Sequence, residues 1–358
     1  MLDYLAIEKD PTPAGHRVRS GRPMLTVTML AALLALAGAL VYGAADFLGG
    51  LSSRRLRSVA VTATAAATGL LLLVPALAFT GAVWRAEDLL WGALSGVTGA
   101  AAIGLLYACL AIGPMSILSP LTAVVSAIAP MLWGLLVEGE QLSPSGYAGL
   151  ALALVAIVLV AFLPGERIVR PSLRGILMAI GSGLGIGAFL IIIDQTHDDS
   201  GVLPLIANRG VTAVIMATIA VVLASTAVRR GTPRSAALAS PEPTDLHVAA
   251  TPTGYVDVEH PTSVDAPHTR AAQLLSRISA GRAWALAMAC GLVDATANVI
   301  LLVALRAGGD LAVVSALTAL YPAGTVLLAA VVLREHIARV QWLGLSLALV
   351  AGALLAIG

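Results

Sequence analysis

Residues 317–358 read LTALYPAGTVLLAAVVLREHIARVQWLGLSLALVAGALLAIG, and residues 124–162 read VVSAIAPMLWGLLVEGEQLSPSGYAGLALALVAIVLVAF. Displacing one against the other by 195 positions puts Val137 on Val332, Glu140 on Glu335, Gly149 on Gly344 and Leu152–Ala156 on Leu347–Ala351. The same displacement carries Gly96 onto Gly291 and Gly113 onto Gly308. Further towards the N-terminus a displacement of 144 takes over, aligning Ala35 with Ala179, Leu40 with Leu184, Gly43 with Gly187 and Ala44 with Ala188. The two displacements differ by about the length of a polar stretch at 227–281. The second half therefore reads as a copy of the first, with an insertion between its second and third helices.

Each copy is built of apolar runs. The hydrocarbon core of a bilayer is roughly 30 Å thick and a helix rises about 1.5 Å per residue, so about 20 apolar residues span it. Ten such runs are expected, at 25–50, 58–80, 89–111, 115–137, 146–163, 173–193, 202–226, 283–305, 311–333 and 340–357. Gly113-Pro114 is the one break without charge and rests on turn chemistry alone; read as a hinge, it would leave nine spans. The chain thus predicts an all-α integral membrane protein of ten transmembrane helices in two five-helix repeats. Five is odd, so the second copy enters the membrane from the opposite side, and inverted repeats of this kind give a route to alternating access around one central site.

The expected organisation is a polar tail at 1–24, a first repeat at 25–163 and a second at 173–357, interrupted by a disordered linker at 227–281 rich in Pro, Ser, Thr and acids. The tail carries no apolar h-region, which argues against a cleaved secretory signal. Composition closes off other classes. Of the 358 residues, 58% are hydrophobic and 11% charged, against about a quarter charged in soluble domains. Net charge is +1, with Lys9 the single lysine among 21 basic residues, so no nucleic-acid footprint is present. Cys109 and Cys290 lie far apart in apolar runs and read as small core hydrophobes. The linker histidines His247, His260 and His268 are irregularly spaced, and neither metal nor cofactor is expected. GSGLGIG at 181–187 imitates a dinucleotide fingerprint but lacks the strand and turn that motif requires; it reads as close helix approach through Gly181/Gly185 and Gly183/Gly187. No nucleotide-binding motif supplies energy, so a gradient must.

Ionisable groups within apolar spans are costly and therefore informative. Asp294 lies near the centre of the eighth span, with Asn298 one helical turn on. Arg209, beside Asn208, is about eight residues into the seventh span, where it can snorkel, pair with Asp294 or meet an anionic group of a substrate. Asp46 falls near the end of the first span, at the interface or facing a cavity together with Tyr42 one turn earlier. Tyr107 and Tyr321, in the third and ninth spans, are packing anchors or cavity residues. Trp84, Trp91, Trp284 and Trp342 belong at the membrane interfaces, while Trp133 lies deeper.

The closing segment, with Pro322, Glu335, Gln341 and Gly344, resembles the last two helices of an EamA-type domain of the drug/metabolite transporter superfamily. Its counterpart, with Pro130, Glu140 and Gly149, resembles the same element in the first repeat, and Arg209 after Pro204 is similar to an arginine common in the second helix of such repeats. The resemblance covers both halves and implies a ten-helix carrier of small metabolites or drugs in the plasma membrane, frequently an exporter, working by proton coupling or exchange. It implies a small-molecule substrate and no enzymatic activity. Asp46, Tyr42 in place of a tryptophan, and the long linker depart from the pattern. A flippase for a lipid-linked head group is the alternative, and a membrane enzyme a more distant one, since no carboxylates or histidines cluster towards one leaflet. Orientation divides the two kinds of reading. The loops after the odd-numbered spans, together with Arg174 at the start of the sixth span, hold 14 arginines against six basic residues on the other side, which predicts both termini outside, whereas the family is usually drawn with both inside.

Overall fold

The computed structural model describes residues 24–53, 55–112, 115–161, 172–231, 233, 238–239, 279–333 and 337–357. Long unbroken apolar runs with few β-breaking turns form helices, and these pack into one bundle. In chain order they are α1 (Met24–Ser53), α2 (Ser58–Thr80), α3 (Ala86–Ile112), α4 (Met115–Leu136), α5 (Pro144–Ala161), α6 (Leu173–Asp194), α7 (Leu203–Arg229), α8 (Ala280–Arg306), α9 (Leu311–Thr318), α10 (Tyr321–Leu328) and α11 (Arg339–Ile357). Among the described residues, nine segments are long and apolar enough to cross a membrane, and a shorter apolar helix, Pro120–Leu136, lies within α4. The count of ten rests on whether α4, which carries Pro120 and Pro130 inside it, spans fully. Leu71, Phe79, Leu136, Val221 and Leu349 are exposed on outward faces, as hydrocarbon rather than water requires.

The ninth expected span is kept as a candidate membrane crossing, Leu311–Val332, but it is divided. Helix α9 ends at Thr318, α10 restarts with Pro322 in its first turn, and a π-helical turn, Ala329–Leu333, follows. Proline lacks an N–H and is tolerated where a helix begins, so Pro322 sits at the restart. Helix α7 continues to Arg229 and α8 begins at Ala280, while Leu238 and Ala239 lie against the α1–α2 turn, where the Arg57 N–H donates to the Leu238 carbonyl at 2.8 Å. The rest of the linker, the tail before Met24, Gly113-Pro114 and Glu335 fall outside the described residues.

The helices pair across the two halves. Helix α1 packs on α8 as α6 packs on α3; α2 meets α8 as α7 meets α3; α4 lies on α6 as α9 and α10 lie on α1; and α2–α7, α5–α11 and α4–α9 pair with their own counterparts. The correspondence reaches single residues. A Cβ on Gly149 would meet Leu355 Cγ at 2.8 Å and Leu354 Cβ at 3.1 Å, and one on Gly344 would meet Val160 N at 2.7 Å and Leu159 Cβ at 2.9 Å. All three pairs, 149/344, 159/354 and 160/355, are the same 195 positions apart. At 144 positions, Gly43 abuts Tyr321 and Gly324 while Gly187 abuts Ser126 and Ala129. These small residues let helix backbones approach closely where no hydrophobic effect between helices is available. In GSGLGIG, Gly181 and Gly185 face Leu105 and Ala102 of α3, and Gly183 and Gly187 face α4, so both pairs serve packing.

Candidate functional site

Helix α8 presents Cys290, Asp294 and Asn298 at successive turns of one face. Gly291 on this helix lies against Ala65 and Thr68 of α2, drawing α2 and α8 together, and a Cβ on Gly69 of α2 would crowd the Gly291 carbonyl at 3.1 Å and Ala295 at 3.3 Å while the Arg209 Cδ lies at an ordinary 3.7 Å. Arg209 thus crosses from α7 to α8, and its Nη2 forms an ion pair with Asp294 Oδ2; the side chains are 13% and 23% exposed. Pairing offsets part of the desolvation cost that either charge alone would carry here. The Arg209 Nε is buried without a hydrogen-bond partner among the described residues.

Helix α1 supplies the facing wall. Tyr42 stands within electrostatic reach of Asp294, Arg209 and Asp46. Asp46 is likewise close enough to act on Tyr321 of α10 and on Cys290. Gly49 touches Cys290, with Sγ 3.2 Å from where a Cβ would sit. Tyr42, Asp46, Arg209, Cys290, Asp294 and Tyr321 all keep partial exposure inside the bundle.

Other residues singled out in the sequence lie elsewhere. Asn208 is buried and donates its amide to Ser95 Oγ at 2.8 Å, joining α7 to α3 and not facing Asp294. Asn298 donates to the backbone carbonyl of Asp294 at 2.7 Å and is almost fully buried, so it braces the Asp294 turn. The Tyr107 side chain lies outside the described residues. Pro130 and Gly149 serve helix packing, Gly344 meets α5, and Gln341 is buried, donating to the Val160 carbonyl at 3.4 Å. Glu140 accepts the backbone N–H groups of Leu311 and, at 3.0 Å, Ala312, which caps the N-terminus of α9. Gly134 is glycine because a Cβ there would collide with that carboxylate. Burial pushes the Glu140 carboxyl up to about 7, partly offset by the Ala312 N–H.

Sequence reasoning missed a second polar cluster at the end of the bundle where the α6–α7 loop lies. Asp88, buried in the first turn of α3, accepts the His197 backbone N–H and contacts His197 Nδ1, both at 3.0 Å. Arg85 forms a two-pronged ion pair with Asp199, one arm at 2.8 Å, and the pairing holds the Asp199 carboxyl below its usual range. Arg306 at the end of α8 donates to the carbonyls of Gly201 at 2.6 Å and His197 at 3.1 Å and to Ser200 Oγ at 2.7 Å. This loop is thereby latched to α3 and α8. Acidic first-turn residues and a basic last-turn residue were the available signals, but they read as ordinary loop charges.

A bundle of long apolar helices with a charged pair at its centre and a latched loop at one end defines a multi-pass membrane protein. Residues 29–162 match the model of the EamA-like transporter family. That part of the chain is similar to an EamA-like transporter domain, and the resemblance seen in the sequence holds there. No curated protein matches the chain. A solved structure described only as "Crystal structure of protein" is similar in fold, with a TM-score of 0.56 at 14% identity, over 90% of this chain and 97% of that one.

Proposed function

We infer that the chain is a secondary transporter in which two inverted five-helix repeats alternate access to a cavity between α1, α7, α8 and α10. The observation that carries this reading is the Arg209–Asp294 pair, partly exposed among helices whose outer faces are apolar. Charges placed there are costly, and their usual reason is a substrate or ion pathway. Reciprocal packing of the two halves supplies the second ingredient, since equivalent contacts can be exchanged between repeats when the cavity opens to the other side. No nucleotide site accompanies these features in the sequence, so the driving force is a gradient, with protons or exchange as the coupling.

Flux in proteoliposomes tests the reading. A panel of small amines, amino acids and organic anions is offered with and without an imposed pH gradient. One class is expected to accumulate against its own gradient, and Asp294→Asn to abolish that accumulation. Uptake no greater than in protein-free liposomes for every member, or coupled uptake unchanged in Asp294→Asn, contradicts it.

A further inference from the structure

Between α2 and α3 the chain needs only residues 81–85, whereas between α7 and α8 it takes residues 230–279. Both connections nevertheless dock at equivalent places. The short one lies on the α6–α7 loop, where the Val83 N–H donates to the Asp199 carbonyl at 2.9 Å and Gly201 abuts the Gly81 carbonyl and Ala82. The long one lies on the α1–α2 turn. There the Arg57 N–H donates to the Leu238 carbonyl at 2.8 Å, the Arg57 Nε donates to the Ala239 carbonyl at 3.3 Å, and Leu56 and Ala239 form an antiparallel bridge. Residues 57 and 201 are 144 positions apart. Each docked loop is also tied to the first turn of α8 or α3: Ser52 Oγ donates to the Ala283 carbonyl at 2.8 Å, and the His197 N–H donates to Asp88 at 3.0 Å. Ala283 and Asp88 are 195 positions apart. The lengthened connection has therefore kept a contact that the short one makes.

The two corners are held by different forces. Around the α6–α7 loop charged side chains do so, Arg85 with Asp199, Asp88 with His197, and Arg306 with three acceptors. At the α1–α2 corner Leu238 packs, with Leu51 and Leu286, against a small buried cluster that includes Leu56, Val61 and Ala283. Leu238 and Ala239 are themselves only half-buried. A half-buried leucine and two hydrogen bonds make a contact that local fluctuation opens far below the cost of global unfolding. The corner also lies across the end of the seam between α1 and α8. Gly49, about one turn before Ser52, touches Cys290, and Asp294 follows one turn further along α8. Parting α1 from α8 at this corner uncovers the way to the Arg209–Asp294 pair.

We propose that Leu238 and Ala239 are a releasable clasp: docked, they hold α1, α2 and α8 together at this end of the bundle, and undocked, they free the α1–α8 seam to open there. The proposal rests on the transporter reading above and adds a point of regulation to the same cavity, since a force on the rest of the connection reaches the α1–α2 turn through these two residues.

Cys290, partly exposed in the seam, reports the opening. With Cys109 replaced by serine, the full chain in sealed, uniformly oriented vesicles is treated with a membrane-impermeant maleimide from either side, and mass spectrometry quantifies the Cys290 adduct. Leu238→Asp is expected to raise the labelling rate roughly fivefold from one side and not from the other. Leu56→Cys with Ala239→Cys, bridged partners within disulfide range, is expected to slow labelling from that same side when oxidised and to return to the parent rate when reduced. Labelling unchanged or raised by oxidation overturns the proposal, as does a folded Leu238→Asp labelled at the parent rate; where Leu238→Asp does not fold, the cross-linked pair decides alone. Slowing by oxidation without any flux in liposomes would keep the clasp and reject transport, whereas flux with Cys290 labelling indifferent to oxidation would reject the clasp and keep the transporter.

Discussion

At the scale of single residues, the centre of the molecule turns on a charge pair that is stable only as a pair. Removing one partner of a buried ion pair leaves the other uncompensated and costs about 3–5 kcal/mol, whereas replacing both with apolar groups of similar volume is close to neutral. Asp294→Ala alone should therefore lower the thermal midpoint in detergent, and Arg209→Met with Asp294→Leu should recover most of the loss while transport stays absent. A double variant no more stable than the single one would contradict the pairing as the source of the effect. The sequence shows both residues as rare charges in apolar runs, and Arg209 has three outlets in it; the structure selects Asp294. Sequence position does not tell which way neighbours turn. Asn208 is next to Arg209 but about 100° round the helix, and so meets Ser95 on α3 instead. Cys290, one turn before Asp294, shares its face, yet a cysteine in an apolar run reads as core until α1 is seen to pass across it.

At the scale of elements, helix ends do more than stop helices. Glu140 lies in the α4–α5 loop and caps α9 in the other half, so a carboxylate and two backbone N–H groups join the two halves of the chain. Its unfolded carboxyl titrates near 4.5 and its folded one at about 7. Between those values the folded chain keeps a proton that the unfolded chain has lost, so stability falls as pH rises through that window. Thermal unfolding of Glu140→Gln should lack this decline between about pH 5 and 7 relative to wild type; an unchanged slope would place the titration elsewhere. The matched pair Glu140/Glu335 is legible in the sequence, but not what Glu140 reaches, because the loop and α9 are more than 170 residues apart. The division of the ninth span at Thr318–Tyr321 was equally hidden. Pro322 is visible, but a proline in an apolar run marks a kink or a restart alike, and the π-helical turn beyond it has no compositional sign.

At the scale of the whole molecule, two displacements in the sequence become two sets of reciprocal contacts. Gly149 meets Leu354 and Leu355, and Gly344 meets Leu159 and Val160, so one rule of 195 positions governs both members of each contact. This much was legible because helix packing in lipid depends on small residues at fixed spacing, and a duplicated packing scheme keeps its glycines. The α6–α7 latch was not, since Asp88, His197, Asp199 and Arg306 belong to three separate segments that only the folded bundle gathers. Reciprocal packing is what the proposed inverted threading of the two halves would produce. Pro144 and Arg339, both exposed and 195 positions apart, report on it directly. In a background with Cys109 and Cys290 replaced by serine, single cysteines at these positions are treated with a membrane-impermeant maleimide in sealed, uniformly oriented vesicles. The account predicts that one position is labelled from outside and its match only after the vesicles are opened; labelling of both from the same side would contradict it.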